Sequence, residues 1–256
     1  MGKFSGYLIC SDYDGTFAAA GQPVTENLDA LRYFVENGGR FTLATGRTVD
    51  FIREKGLEEF INAPACLCNG SVVYDYREDR LLKQWNLPFT VKEFADCVKP
   101  ATRQLLCIYV FATAWGSSCY ENIQQACRRE GNEKALKLLC KFESEELADE
   151  FRAFAEKQAL FRQCHISKSW PLGVEFNPMG GTKGHGLDFI RDYLGDIHTA
   201  IGVGNYENDI PLLTHGDIAA APESSQSLVL DHADLVLCPC AEGAIRDLIE
   251  KLEKKM

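Results

Sequence analysis

The sequence predicts an α/β protein: a parallel-sheet core built from both ends of the chain, with an α+β segment inserted between them. Three observations predict it. Short apolar runs alternate with helix-period segments up to about residue 83 and again after about residue 180. The apolar runs stop at polar turns, as buried strands do when their carboxyl ends carry a ligand. Between residues 84 and 178 the alternation gives way to paired strands and helices.

Taken in order, Tyr7 to Cys10 reads as a buried strand that stops at Ser11-Asp12. A helix follows, with Thr25 as its expected N-cap, Leu28, Leu31, Phe34 and Val35 at helical spacing, and Gly38-Gly39 as its end. Arg40 to Ala44 is the next strand, closed by Thr45-Gly46-Arg47. A helix over Thr48 to Lys55 and a strand over Ala65 to Cys68 repeat the unit, and Asn69-Gly70 marks a hairpin into Val72 to Tyr74. The insert predicts a helix over 91–103, strands at Cys107 to Phe111 and Cys119 to Asn122 around a Trp115-Gly116-Ser117 turn, two helical stretches over 133–158, and strands over 161–166 and 173–177. The alternation then resumes: helix Lys183 to Leu194, strand Thr199 to Val203, helix Asn208 to Leu213, strand Asp217 to Ala220, a helix near Ser224 to His232, strand Leu235 to Leu237, and a terminal helix Gly243 to Lys254.

Composition narrows the function. The 256 residues are 46% hydrophobic and 25% charged, an ordinary globular composition able to bury a core without disulfides. With 27 Lys+Arg against 37 Asp+Glu the net charge is −10, a field that repels nucleic acid and anionic lipid. No apolar run reaches the ~18 residues of a membrane helix, and no apolar signal core precedes the first acidic residues, so the expected location is the cytoplasm. The eleven cysteines are odd in number and scattered through apolar segments, which reads as reduced core residues. An acidic protein that binds a phosphate ester must use local donors, a divalent cation, or both.

One segment supplies such chemistry. In Asp12-Tyr13-Asp14-Gly15-Thr16, two carboxylates one residue apart leave a buried strand, where they can meet a cation and a phosphate while Gly15 lets the chain turn. The same residues also suit a solvated acidic turn. Lys183 stands at a helix start, where the macrodipole slightly disfavours a cation, and that mismatch favours a functional role.

The pattern D-x-D-G-T after a first strand resembles the first motif of the haloacid dehalogenase superfamily of phosphotransferases. Four further segments fall in that family's order. Thr45 in ATGR resembles the second motif, Asn69 in CNG the asparagine of the Cof-type branch, Lys183 in GTKGHGL the third motif, and Gly204-Asn205-Tyr206-Glu207-Asn208-Asp209 the fourth. The insert of roughly 95 residues matches the position and size of the subfamily IIB cap. The resemblance implies a Rossmann-like core, residues 1–83 and 179–256, and a C2B cap domain, residues 84–178. It also implies an Mg2+-dependent phosphatase acting on a small phosphorylated metabolite, with sugar phosphates the leading class.

In that reading Asp12 is the nucleophile and Asp14 the general acid and base. Thr45 and Lys183 offset the charge of the transferred group, and Tyr13, Gly46, Arg47, Asn69 and Asn208 surround the substrate. Magnesium would lie on the Asp12 carboxylate, the Asp14 carbonyl and the Asn205 side chain, with Asp209 orienting a metal-bound water. The family usually carries aspartate where this chain has Asn205, which predicts a weaker metal site. A phosphate-binding protein without efficient turnover, or a phosphomutase, is the alternative. Near the end of the insert, Arg162, His165, Lys168 and Trp170 are placed to reach a substrate's alcohol moiety.

Overall fold

A computed structural model describes residues 2–102 and 104–255. Five strands form a parallel sheet in the order Leu235–Leu237, Ile218–Pro222, Thr199–Val203, Tyr7–Ser11, Arg40–Leu43. Leu8 pairs with Ala200 on one side and with Arg40 on the other, so the first strand joins the two ends of the chain. This is where the strand order reverses, the place where open α/β sheets leave a crevice at their carboxyl ends. Side chains alternate across the sheet. Ile9 packs with Leu31, Phe34, Leu248 and Leu252 of the Thr25–Glu36 and Ala244–Lys255 helices, while Leu8 and Cys10 pack with Leu187, Ile190, Leu212 and Leu213 of the Lys183–Leu194 and Ile210–His215 helices. Both faces are covered, as a parallel sheet requires.

A three-stranded antiparallel meander, Ala65–Leu67, Val72–Asp75 and Arg80–Gln84, continues from the Arg40–Leu43 edge through a single bridge between Ala44 and Cys66. Its last strand, all charged, polar or leucine, gives no alternation that the sequence could reveal. Beyond it lies a second sheet, antiparallel, in the order Cys164–Ser167, Gly173–Pro178, Lys137–Phe142, Leu105–Phe111, Ser118–Tyr120. One face of this sheet, with Val110, Leu138, Cys140, Val174 and Phe176, packs against the Val91–Val98, Ile123–Glu130 and Glu145–Ala155 helices. The other face turns to the parallel sheet's carboxyl end, and Phe111, Leu136 and Leu139 join the core cluster there.

Several expectations change. The first of the two helical stretches over 133–158 is replaced by the Lys137–Phe142 strand at the centre of the antiparallel sheet, and the helix lies earlier, at Ile123–Glu130. Lys137 and Lys141 flank an apolar run that suits either period, and partners from Leu105–Phe111 and Gly173–Pro178 decide for the strand. The helix expected over 91–103 ends at Val98 in a 3-10 turn, Lys99–Ala101, and its last residue, Arg103, lies outside the described residues. Thr25 is not an N-cap: it is already helical, and no side chain caps that end. Instead the fully buried Asn27 donates Nδ2 to the Phe17 carbonyl (3.0 Å), while its Oδ1 accepts from the amides of Ile245 (3.0 Å) and Arg246 (3.1 Å) at the start of the last helix.

All eleven cysteines are free thiols, and six are buried. Among the described residues no helix is long and apolar enough to cross a membrane.

Candidate active site

The Tyr7–Ser11 strand delivers Asp12 to the crevice, where its main chain and its side chain are both held. Its amide donates to the Val203 carbonyl (2.8 Å) on the neighbouring strand. Lys183, first residue of its helix, donates Nζ to Asp12 Oδ1 (2.6 Å) and to Asp209 Oδ1 (2.5 Å). The other Asp209 oxygen accepts from the amides of Asn205 (2.9 Å) and Tyr206 (3.0 Å). Lys183 and Asp209 are buried, at 1% and 0% exposure, so the lysine's charge is spent on these two carboxylates. Burial and the nearby charge of Asp209 push the Asp12 carboxyl up to about 7, against the opposing pull of Lys183. Burial would lower Lys183, but the two carboxylates outweigh it and hold the ammonium above its ordinary value. Among the described residues Asp12 Oδ2 has no donor, and it is open to the cavity that Asp12 lines.

Asp14 lies at the rim, half exposed, in a two-point ion pair with Arg47: Nε to Oδ2 at 3.0 Å and an Nη to Oδ1 at 3.1 Å. Arg47 in turn stacks 4.5 Å above the Phe51 ring. The charge paired with Asp14 is therefore the Arg47 guanidinium. Gly15, with φ +83°, makes the turn, and a side chain there would collide with Asn205 Nδ2 at 2.4 Å. Tyr13 departs from its expected place beside the substrate. Its ring is fully buried against Phe17 and Phe51 and its hydroxyl donates to the Gly21 carbonyl (3.1 Å), so only its main chain remains near the site.

The second and Cof-type segments are laced together. The Asn69 amide donates to the Thr45 carbonyl and the Cys68 amide to the Arg47 carbonyl, each at 2.9 Å. Thr45 is buried beneath the cavity, its Oγ1 accepting from the Arg47 amide at 3.3 Å. Asn208 donates Nδ2 to Asn69 Oδ1 at 3.3 Å. Asp12, Asp14, Gly46, Arg47, Asn69, Asn205 and Asn208 thus meet in one cavity of about 540 Å3, with Lys183, Thr45 and Asp209 beneath it.

The antiparallel sheet closes that cavity with Tyr109, Phe111, Lys137, Leu139, Lys141 and Glu175, joined by Trp170. Most of these escaped the sequence reading. The alternation in Gly173-Val174-Glu175-Phe176-Asn177 was a usable signal, since it gives one apolar and one polar face. Of the four residues expected to reach a substrate alcohol, only Trp170 lines the cavity. Lys168 turns to Asp149 (2.7 Å) and Glu145 (3.4 Å), and burial lowers His165 below its ordinary value.

The donor set fits a hard cation. The Asp12 carboxylate, the Asp14 carbonyl and the Asn205 amide oxygen are all oxygen donors, and Asn205 already faces the loop, its Oδ1 accepting from Thr16 Oγ1 at 3.2 Å. Among the described residues no group of three or more His, Cys, Asp or Glu side chains forms a metal cluster.

Residues 9–249 match the family model of haloacid dehalogenase-like hydrolases, and the chain belongs to that family. A Mycoplasma genitalium protein, MG265, named as a candidate phosphatase, is 30% identical over 99 residues, which are 38% of this chain and a third (33%) of that one. Among solved structures, a haloacid dehalogenase-like hydrolase from Bacillus subtilis superposes with a TM-score of 0.80 at 18% identity, covering 96% of this chain and 99% of that one. The subclass IIB sugar phosphatase BT4131 superposes at 0.78 and 19%, covering 96% and 98%. The shared fold is a Rossmann-like core with a cap of the IIB type.

Proposed function

We infer that the protein is a phosphatase of small phosphate monoesters that works through an aspartyl-phosphate. The observation that carries this reading is the Asp12 carboxylate, one oxygen fixed by buried Lys183 and the other open to a capped cavity. Asp12 Oδ2 attacks phosphorus in line as the ester P–O bond breaks, and Asp14 gives its proton to the leaving alkoxide. Asp14 then takes a proton from water, whose oxygen attacks the same phosphorus and releases phosphate and the Asp12 carboxylate. Lys183 offsets the charge of Asp12 as the phosphoryl group approaches it, while the Asn208 amide and main-chain donors around Thr45 and Gly46 offset the charge on the phosphoryl oxygens. For Asp14 to act, Arg47 must release it, and an arriving phosphate offers the guanidinium a competing two-point partner.

Magnesium, held by Asp12, the Asp14 carbonyl and Asn205, supplies charge neutralisation to the phosphoryl group when bound. Sugar phosphates suit the cap wall, where Tyr109 and Trp170 offer faces for a sugar ring and Lys141 a polar contact. Asn205 favours a second reading, a phosphate binder with poor turnover. The test is phosphate release from a panel of sugar phosphates and an aryl phosphate, with and without millimolar Mg2+. Asp12→Asn should lower turnover roughly a thousandfold or more. A wild type silent across the panel and across magnesium concentrations would favour the binding protein.

A further inference from the structure

We propose that Glu175, on the cap, is a positioning residue for the phosphate site: it fixes the amide orientation of Asn69 and, through Asn69, the placement of Asn208. The inference rests on the phosphoryl-transfer reading above and adds to it a residue outside every motif that suggested that reading.

The starting observation is an ion pair with both partners out of water. Lys137 Nζ and Glu175 Oε1 are 2.8 Å apart, each side chain 2% exposed, on adjacent strands of the antiparallel sheet. Such a pair is costly to bury and is retained where further hydrogen bonds satisfy it. Here those bonds cross to the other sheet. Glu175 Oε2 accepts from Asn69 Nδ2 at 2.6 Å, and Lys137 Nζ donates to the Gly46 carbonyl at 3.2 Å. Two residues along the same strand, Asn177 Nδ2 donates to the Cys68 carbonyl (2.8 Å) and to Ser71 Oγ (2.9 Å).

What the cap holds is a strained turn. Cys68 and Asn69 are consecutive non-glycine residues at φ +52° and +61°, a conformation that L side chains rarely adopt. The strain aims the Asn69 side chain between Glu175 and Asn208. An amide has two unlike ends, and an ionised carboxylate only accepts. Glu175 Oε2, the closer of two acceptors beside Asn177 Oδ1 at 3.4 Å, therefore selects Nδ2, which leaves Oδ1 to accept from Asn208 Nδ2 at 3.3 Å. A Cβ at Gly46 would stand 2.9 Å from that same Oδ1 and 3.0 Å from Lys137 Nζ, so position 46 is small because this network passes beside it. If the acceptor at 175 is replaced by an NH2, its clash with Nδ2 outweighs the long 3.4 Å contact to Asn177 Oδ1, and the amide rotates and sets NH2 against the NH2 of Asn208. Asn208 is then driven from the phosphate position.

Lys137 decides the outcome of a substitution. In Glu175→Gln the single remaining oxygen is taken by the charged lysine, and the new NH2 faces Asn69. In the double variant Lys137→Met/Glu175→Gln that oxygen is free to accept from Asn69. Orthovanadate and inorganic phosphate inhibition of aryl phosphate turnover, at saturating Mg2+, reads the phosphate site directly. Glu175→Gln should weaken both inhibitors on the order of tenfold, and the double variant should recover to within about threefold of wild type. A general loosening of the structure would make the double variant worse than the single, so the recovery is specific to the amide relay. Unchanged inhibition in Glu175→Gln, or no recovery in the double variant, overturns the proposal. If the single variant does not fold, the double variant decides alone: near-wild-type inhibition supports the relay and a tenfold loss overturns it. A wild type that releases no phosphate and binds no vanadate refutes the phosphatase reading itself, a result distinct from any of these.

Discussion

At position 205 an amide stands where the family usually has a carboxylate, and the surroundings accommodate it without a gap. Its Oδ1 accepts from Thr16 and its Nδ2 lies over Gly15, so the loop is folded around an asparagine. The local charges explain what the exchange does. Asp12 and Asp209 already share one lysine in a buried setting that pushes the Asp12 carboxyl up, and another carboxylate at 205 would raise the charge density further. The amide lowers that repulsion and with it the attraction for a dication. Asn205→Asp should therefore tighten Mg2+ on the order of tenfold, read as the half-saturating magnesium concentration in phosphate release or by calorimetry. An unchanged magnesium requirement would remove residue 205 from the ligand set. Asp12, Asp14, Lys183 and Asn208 were legible at this scale because they sit in short segments at strand ends. Tyr13 was not, because a main-chain position near a site says nothing about where a ring goes, and Phe17 and Phe51 offered the ring a buried place.

Among the elements, the loop that carries Asp12 and Asp14 is braced from a distance. Asn27 ties the Phe17 carbonyl, just past that loop, to the first amides of the Ala244–Lys255 helix, more than two hundred residues later. Asn27→Ala leaves a buried carbonyl and two helix-end amides without partners, a loss of about 2–3 kcal/mol, measurable by urea denaturation. A loss under about 0.5 kcal/mol would mean that water or a neighbour replaces the amide. The sequence pointed to Thr25 as the cap because threonine precedes an apolar helical pattern, while the tertiary role of Asn27 depends on a partner at the other end of the chain. The same limit explains the Lys137–Phe142 strand. Its alternation is masked by Leu138-Leu139, and a lysine at its first position reads as solvent-facing until Glu175 is known to lie beside it. The inner strands of the parallel sheet, such as Tyr7–Ser11 and Thr199–Val203, were easier to read, since they are buried on both faces, whereas the edge strand Leu235–Leu237 exposes Val236.

On the scale of the whole molecule the two sheets are docked, with the cavity between them. The helix at Val49–Glu54 gives its first amides to the antiparallel part of the chain, Val49 to the Ala114 carbonyl (2.9 Å) and Asp50 to that of Trp115 (3.4 Å). Arg152 reaches Glu207, in the fourth motif, at 2.7 Å. With Lys137 on Gly46 and Glu175 on Asn69, these contacts surround the cavity on several sides, and in the proposed reaction they would keep bulk water from the phosphoryl group. The same reading requires them to separate once per cycle to admit the ester and release phosphate. Passage of a phosphoryl group through Asp12 is tested by stopping the second half of that passage. With an aryl phosphate the leaving group needs no proton, so Asp14→Asn still permits attack by Asp12 but leaves water without its base. Rapid acid quench of Asp14→Asn with an aryl phosphate, followed by peptide mass spectrometry, should find one phosphoryl group on the peptide containing Asp12, absent from Asp12→Asn/Asp14→Asn. Steady wild-type turnover with no phosphoryl group trapped on Asp12 at any quench time would contradict a covalent intermediate at Asp12.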